Sequence, residues 1–222
     1  MTVTRLLAGG AALYGAALAL AACTSDDPSR CFEPDPTSYA FHVPYDTTRW
    51  FRWPGGFYPV RVYAENTGSL QVNTDSAIAV WLGAFRCGEL SMVRWADSTS
   101  ADVIVRNPPF QPPVLVGTRI LAVDSINACR GRTDVDTISA DTIARPLRAH
   151  VWPQGIDAAA TEACYRFVTA HELGHALGLF MHSLDPQDLM YTSPRRRVVS
   201  VNDRYTIQIL YHSIPPMAAA PR

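Results

Sequence analysis

Two hydrophobic patterns alternate along the chain, one typical of β-strands and the other typical of α-helices. Residues 58–64 alternate apolar and polar positions and are rich in β-branched and aromatic types, which predicts a strand. Residues 70–85 carry apolar side chains at helical spacing among good helix formers, which predicts an amphipathic helix ended by Gly88. Shorter apolar or alternating runs predict further strands at 91–95, 102–106, 114–126 and 149–152.

One long helix, over residues 157–179, is the clearest element predicted in the second half of the chain. Asp157 is a good N-cap, and Glu162 lies early enough to interact favourably with the helix dipole. Residues 130–145 alternate and suggest an extra hairpin, and residues 202–211 predict a final helix capped by Asn202. The order strand, helix, several strands and long helix predicts an α/β (α+β) domain with a mixed sheet.

The N-terminus has the pattern of an export signal. Arg5 precedes an apolar run, 6–20, that is too short and too rich in small residues to span a membrane comfortably. The run ends in the residues LAAC at 20–23, which resemble a bacterial lipobox, so 1–22 are expected to be a lipoprotein signal peptide and Cys23 the site of lipid attachment. The alternative is an ordinary secretory signal cut near the same place. In either case we expect an exported protein, anchored to the outer face of a bacterial membrane or secreted.

Length, composition and charge bound the remaining possibilities. The 222 residues are 48% apolar, enough for one folded domain with a substantial core. Residues 23–56 are expected to form a tether and an irregular N-terminal segment, 57–213 the folded domain, and 214–222 a disordered tail. The net charge of −1 provides no electrostatic footprint for nucleic acid, so no nucleic-acid partner is expected.

Four cysteines remain once Cys23 is assigned to the lipid, and they are Cys31, Cys87, Cys129 and Cys164. An even number in an oxidising compartment predicts two disulfides, and three pairings are open. The sequence contains no Cys-x-x-Cys pair, so a cysteine metal site is not expected.

The predicted long helix ends in a metal-binding pattern, His171-Glu172-Leu173-Gly174-His175. Two histidines four residues apart lie on one helical face, so their imidazoles can converge on one ion. Glu172 points about 100° around the helix from His171, which places its carboxylate beside the metal rather than on it. There it can accept a proton from a water molecule activated by zinc.

Two residues beyond this pattern make the metal hypothesis more specific. Gly178 comes where a helix that is about to turn sharply needs a residue able to adopt positive φ. The chain then reaches His182, which can turn back as a third ligand. Three histidines leave the fourth zinc position open, which is typical of a catalytic rather than a structural site.

The stretch HELGHALGLFMHSLDPQDLMY, residues 171–191, resembles the metzincin clan and, within it, the matrixin-like bacterial peptidases. Metzincins have His-Glu-x-x-His-x-x-Gly-x-x-His followed by a tight turn that contains Met, and Met190 matches this Met-turn. The resemblance implies a metzincin-like catalytic domain, with a twisted, mostly parallel mixed sheet of about five strands, a long active-site helix and a C-terminal helix. It also implies that Tyr191 and residues 192–194 line the pocket for the residue after the scissile bond.

The sequence departs from the family pattern at one position. Met181 stands where the third ligand is usual, and His182 comes one residue later, which we interpret as a one-residue insertion after Gly178. Met181 is a poor candidate because a thioether suits softer metals than zinc. Asp185 is the alternative third ligand, as in clans that use Asp. The gluzincin arrangement needs a downstream Glu, and the chain has none after Glu172.

These residues and the resemblance together predict a zinc-dependent endopeptidase with Glu172 as general base and one catalytic Zn²⁺. The substrate would be a protein or peptide lying along the outermost strand, within 114–126, as an additional strand. A monomer that touches the membrane only through its lipid is expected, and no ligand cluster for calcium is evident. Two other classes stay open: a membrane-tethered zinc-binding lipoprotein without catalysis, and a zinc amidase acting on a cell-wall component.

Overall fold

The computed structural model of the protein describes residues 38–43, 46–108, 118–120, 124–126, 129–139, 141–153, 157–213 and 217–222. The predicted signal peptide, Cys23, Cys31 and part of the predicted strand 114–126 lie outside these residues. In the described part, no helix is long and apolar enough to cross a membrane.

The described strands form one mixed sheet. Its members are β1 Val60–Ala64, β2 Met92–Trp95, β3 Val103–Arg106, β4 Thr118–Ile120, β5 Asp124–Ile126, β6 Cys129–Ser139, β7 Thr142–Ile143, β8 Leu147–Pro153 and β9 Ala218–Ala219. The strand order is β2-β1-β3-β8-β6-β7-β9, and β4 and β5 both pair with β6. The central pairs β1–β2, β1–β3 and β3–β8 are parallel, whereas β6 is antiparallel to β8, β4, β5 and β7.

The prediction of a mixed, mostly parallel sheet with helices is confirmed. The sheet contains nine described strands rather than about five, because short strands add to β6 and because β9 comes from the C-terminus. The hairpin suggested over 130–145 is present as β6 and β7. Its first strand is much longer than a peripheral hairpin requires, and it pairs with β8 over six residues.

The described residues contain three α-helices, α1 Leu70–Leu82, α2 Ala158–Ala176 and α3 Val201–His212, and a short 3₁₀ helix at Gly55–Phe57. The first helix ends at the C-cap Gly83, whereas the sequence predicted that Gly88 would end it. Asp157 caps α2 as expected, its side chain accepting from the Ala160 backbone N–H at 2.7 Å. The prediction of Asn202 as the cap of α3 is wrong: Ser200 is the N-cap and forms a capping box with Asp203.

Helices α1 and α2 pack closely together on the sheet. The Trp81 indole N–H donates to the Ala170 carbonyl at 2.8 Å, and a Cβ on Gly174 would lie only 2.5 Å from the Trp81 ring. The small residue at 174 therefore lets the two helices approach at the level of the predicted metal ligands. Inward-facing residues of β1, among them Val60 and Val62, are fully buried beneath this helical layer.

Both ends of the described chain pack on the domain. The irregular N-terminal segment buries Phe51 and Trp53 completely, and the Trp53 indole donates to the Ala176 carbonyl at 2.9 Å. The prediction of a disordered tail over 214–222 is wrong for the described residues 217–222. Here β9 pairs with β7, Met217 is buried, and Arg222 forms an ion pair of 2.9 Å with the buried Asp102.

A disulfide connects Cys129, the first residue of β6, to Cys164 in α2. This bridge is one of those allowed by the even cysteine count. Cys87 is also disulfide-bonded. The disulfides are consistent with the predicted export to an oxidising compartment.

The face of β6 and β8 that points away from α2 carries a compact charged cluster. Asp134 lies 2.9 Å from the His150 imidazole and 2.7 Å from the Arg132 guanidinium. Burial by itself would raise the pKa of Asp134. The hydrogen bond from His150 and the charges of His150 and Arg132 outweigh burial, so the pKa lies below its ordinary value.

Candidate metal centre

Helix α2 places His171 and His175 one turn apart on the same face, both fully buried, with ring centroids 4.7 Å apart. Each ring is oriented by a carbonyl oxygen. His171 Nδ1 lies 2.8 Å from the Leu189 oxygen, and His175 Nδ1 lies 2.6 Å from the Leu179 oxygen. Since a carbonyl can only accept, each Nδ1 carries the proton, and each Nε2 is left as the electron-pair donor that a metal requires.

His182 joins these two side chains. Its Nε2 lies 3.2 Å from that of His175, and its ring centroid lies 5.3 Å from that of His171. The potential ligand atoms of the three residues all lie within 4.8 Å of one another. The third histidine therefore reaches the cluster although it comes one residue late in the sequence.

The alternative third ligands are not in this cluster. The group of potential ligands in the described chain consists of His171, His175 and His182. Asp185 is exposed, and one of its carboxylate oxygens accepts from the Gln187 backbone N–H at 2.8 Å, so it stabilises its own turn. Met181 is half-buried.

The donor set fits zinc. Tetrahedral coordination with Zn–N bonds of about 2.0–2.1 Å separates the ligand nitrogens by about 3.3 Å. The 3.2 Å between His175 and His182 is close to this spacing, and small movements of side chains would bring His171 into it. Imidazole is a preferred zinc ligand, and three protein ligands leave one position open for water or substrate.

The turn after α2 is built around Gly178. Its φ is +109°, and the N–H groups of Gly178 and Leu179 donate to the carbonyls of His175 and Gly174 in a Schellman motif. The chain passes so close to the N-terminal segment that a Cβ on Gly178 would lie 2.1 Å from the Phe51 carbonyl oxygen. This turn places the Leu179 carbonyl on His175 and directs the chain back towards His182.

Met190 lies in the turn that follows the third histidine, where the resemblance expects the Met-turn. It is fully buried, and its sulfur packs where a Cβ on Gly174 would approach to 2.4 Å. The turn that carries it is closed by a hydrogen bond of 2.9 Å from the Ser183 N–H to the Met190 carbonyl. Because Leu189 in the same turn holds His171, the turn supports the metal site without supplying a ligand.

Asp203, at the start of α3, holds this Met-containing turn in place. Its carboxylate accepts from the backbone N–H of Leu189 at 2.7 Å and, more weakly, from that of Met190 at 3.3 Å. The Tyr39 hydroxyl donates to the same carboxylate at 2.8 Å, and burial, reinforced by the Asp203 charge, raises the pKa of Tyr39 well above its usual value. Sequence reasoning missed Asp203, although the Ser-x-x-Asp spacing from Ser200 indicates a helix start.

Glu172 is fully buried on the side of α2 that faces β6. The Thr133 hydroxyl lies 2.7 Å from its Oε2 and 3.0 Å from its main-chain oxygen. The carboxylate is thus anchored to the sheet, and Glu172 follows His171 directly in the helix. Thr133 was not identified from the sequence, because only the register of β6 against α2 brings it to this position.

Comparison with known families agrees with this geometry. The family model for the matrixin peptidases matches residues 94–212, more than half of the chain, and this range includes the three histidines, Glu172 and Met190. No curated protein matches the chain.

Proposed function

The chain belongs to the matrixin family of zinc metallopeptidases, and on that premise we propose that it is an endopeptidase with His171, His175 and His182 as zinc ligands and Glu172 as general base. The observation that carries the proposal is the convergence of three imidazoles, whose ligand atoms lie within 4.8 Å of one another. A buried carboxylate, that of Glu172, comes from the same helix. As in other peptidases, the substrate is a protein or peptide.

A zinc ion held by these imidazoles would supply an acidified water and polarise the scissile carbonyl. The residues of the chain would orient the ligands and transfer the proton. The carbonyls of Leu189 and Leu179 keep the rings of His171 and His175 in the tautomer that can bind the ion. Glu172 takes a proton from the attacking water and delivers it to the leaving amine, a role that needs a carboxylate next to the ligand face.

The substrate would lie extended along the edge of the sheet. Residues 118–120 and 124–126 are the outermost described strands beside β6, to which they pair antiparallel. A peptide added to their outer edge would gain main-chain hydrogen bonds irrespective of its sequence, and Tyr191 and residues 192–194 would then contact the residue after the scissile bond.

We further infer that the protein acts outside the cytoplasm. Residues 1–22 would be removed as a lipoprotein signal peptide, and Cys23 would carry the lipid that anchors the domain to the outer face of a bacterial membrane. The disulfide between Cys129 and Cys164 supports an oxidising compartment.

Glu172→Gln tests the proposal, because it keeps the shape of the side chain and removes its basicity. We expect the variant to retain one equivalent of zinc by elemental analysis while peptide turnover falls by about 10²–10⁴-fold. Glu162→Gln, near the start of the same helix, is the matched control and should cleave like the wild type. Wild-type turnover in Glu172→Gln would refute the role of Glu172.

The same measurements separate the other two classes. A wild-type protein that binds zinc and cleaves no member of a peptide library would be a zinc-binding lipoprotein. Inactivity on peptides together with release of fragments from cell-wall material would identify an amidase.

A further inference from the structure

The carboxylate of Glu172 lies in a recess of strand β6 formed by two residues. Gly131 and Thr133 are two positions apart in the strand, so they present the same face to α2. Each contacts a different oxygen of the carboxylate. This arrangement bears on how a flexible glutamate is kept in place for chemistry.

Gly131 provides the space for Oε1. A Cβ at this position would lie 2.1 Å from Oε1 and 2.8 Å from Cδ of Glu172. The backbone of Gly131 is not in the left-handed region, since the described glycines with positive φ are Gly68, Gly88 and Gly178. The conformation of the strand therefore does not require glycine. The requirement comes from the side chains of α2 that pack on Gly131, those of Glu172 and Val168.

Thr133 provides the hydrogen bond to the other oxygen. Its hydroxyl, completely buried, lies 2.7 Å from Oε2, the ordinary length of a hydroxyl hydrogen bond. Valine has the same shape and an equally good strand propensity, so the need for a hydroxyl comes from its two contacts with Glu172. One contact is to the side-chain Oε2, and the other, at 3.0 Å, is to the main-chain oxygen. A glutamate has three side-chain torsions, and fixing them before the reaction removes an entropic cost from the catalytic step.

We propose that Gly131 and Thr133 are positioning residues that hold the Glu172 carboxylate in the orientation required of the general base. The inference rests on the proposed function, in which Glu172 is that base. A second contact of Gly131 has to be separated from it, because a Cβ there would also lie 2.4 Å from a methyl carbon of Val168.

The first experiment compares Thr133→Val with Thr133→Ser in the zinc-loaded full-length protein. Thr133→Val should lower kcat for a reporter peptide about tenfold, since small displacements of a catalytic group cost one to two orders of magnitude, with KM within about twofold of the wild type. Thr133→Ser keeps the hydroxyl and should restore most of kcat. Both variants should keep one equivalent of zinc, because Thr133 contacts none of the ligands.

The second experiment asks whether the effect passes through Glu172. In a Glu172→Gln background, Thr133→Val should cause no further loss of the residual turnover, since two residues that act as one unit are not additive. Gly131→Ala should lower kcat about a hundredfold. Adding Val168→Ala relieves the packing contact and should leave that loss unchanged.

These outcomes distinguish the two levels of the proposal. If Glu172→Gln loses turnover but Thr133→Val does not, or if Val168→Ala rescues Gly131→Ala, the positioning role is refuted and the general base stands. The positioning role is also refuted if Thr133→Val lowers turnover in the Glu172→Gln background by the same factor as in the wild type. If Glu172→Gln remains fully active, both the base and its positioning are refuted.

Discussion

Replacing Gly178 by alanine should destabilise the protein more than any other single methyl group added near the site, and it should also weaken zinc binding. The residue has a φ of +109°, a region that L side chains rarely adopt. The new Cβ would meet the Phe51 carbonyl oxygen at 2.1 Å and a Leu210 methyl carbon at 3.0 Å. The first of these neighbours is backbone, which cannot rotate away.

The size of the effect follows from two contributions. A non-glycine residue in a sparsely populated backbone region costs about 1–3 kcal/mol. Forcing a buried backbone segment to move costs about 1–3 kcal/mol more, and the lower entropy of the unfolded alanine chain returns about 0.4–1 kcal/mol. The expected loss in free energy of unfolding is about 1–6 kcal/mol, whose middle corresponds to roughly 10 °C in Tm for a domain of this size.

Thermal and urea unfolding of the two forms, each measured with saturating zinc and with chelator, provides the assay, since bound metal itself stabilises the folded state. Gly83→Ala is the matched control. Gly83 has a φ of −67°, and a Cβ there would meet its nearest neighbours at an ordinary 3.4 Å. The control should change the free energy of unfolding by less than about 1 kcal/mol.

Gly178→Ala should also change the affinity for zinc. Leu179, next to Gly178, holds the His175 ring, so a displaced turn should raise the zinc dissociation constant by the 10–100-fold typical of a lost supporting contact. If Gly178→Ala melts within about 1 °C of the Gly83→Ala control and binds zinc normally, the turn does not have the role assigned to it.

Three further results are expected. His182→Ala should bind zinc much more weakly than Met181→Leu, which should resemble the wild type in a competition titration; equal affinities would exclude His182 as a ligand. Replacing Cys129 and Cys164 by serine opens a link across 35 residues and should lower the free energy of unfolding by about 4 kcal/mol in urea, and a loss below about 1 kcal/mol would count against the bridge. Because the folded-state pKa of Asp134 is lowered, its ionisation stabilises the protein above the unfolded pKa and is lost as pH falls through the folded value, so Asp134→Asn should destabilise the metal-free protein more at pH 6 than at pH 3. A constant difference across this range would show that the carboxylate is not perturbed.

The elements that carry the site were predictable because their signals are local. The spacing of His171 and His175 determines a shared helical face, and Asp157 marks the start of that helix by its own side chain. Gly178 could be assigned to a turn because few residues other than glycine tolerate its backbone conformation. Each of these features depends on residues that are close to one another in the sequence.

The features that were missed or wrong depend on contacts between distant residues. Asn202 and Ser200 are both good caps, and the choice of Ser200 follows from Asp203, which also binds the turn at Leu189. The tail 217–222 has no periodic pattern, yet it packs because Arg222 meets the buried carboxylate of Asp102. Propensity and periodicity contain no information about such pairings.

The bridge between Cys129 and Cys164 spans the same two elements that meet at the Glu172 carboxylate, since it joins the first residue of β6 to α2. Without the bridge, the position of the Glu172 carboxylate against β6 depends on packing and on the hydrogen bonds from Thr133. The bridge therefore limits how far β6 and α2 can move relative to each other at the level of the proposed base.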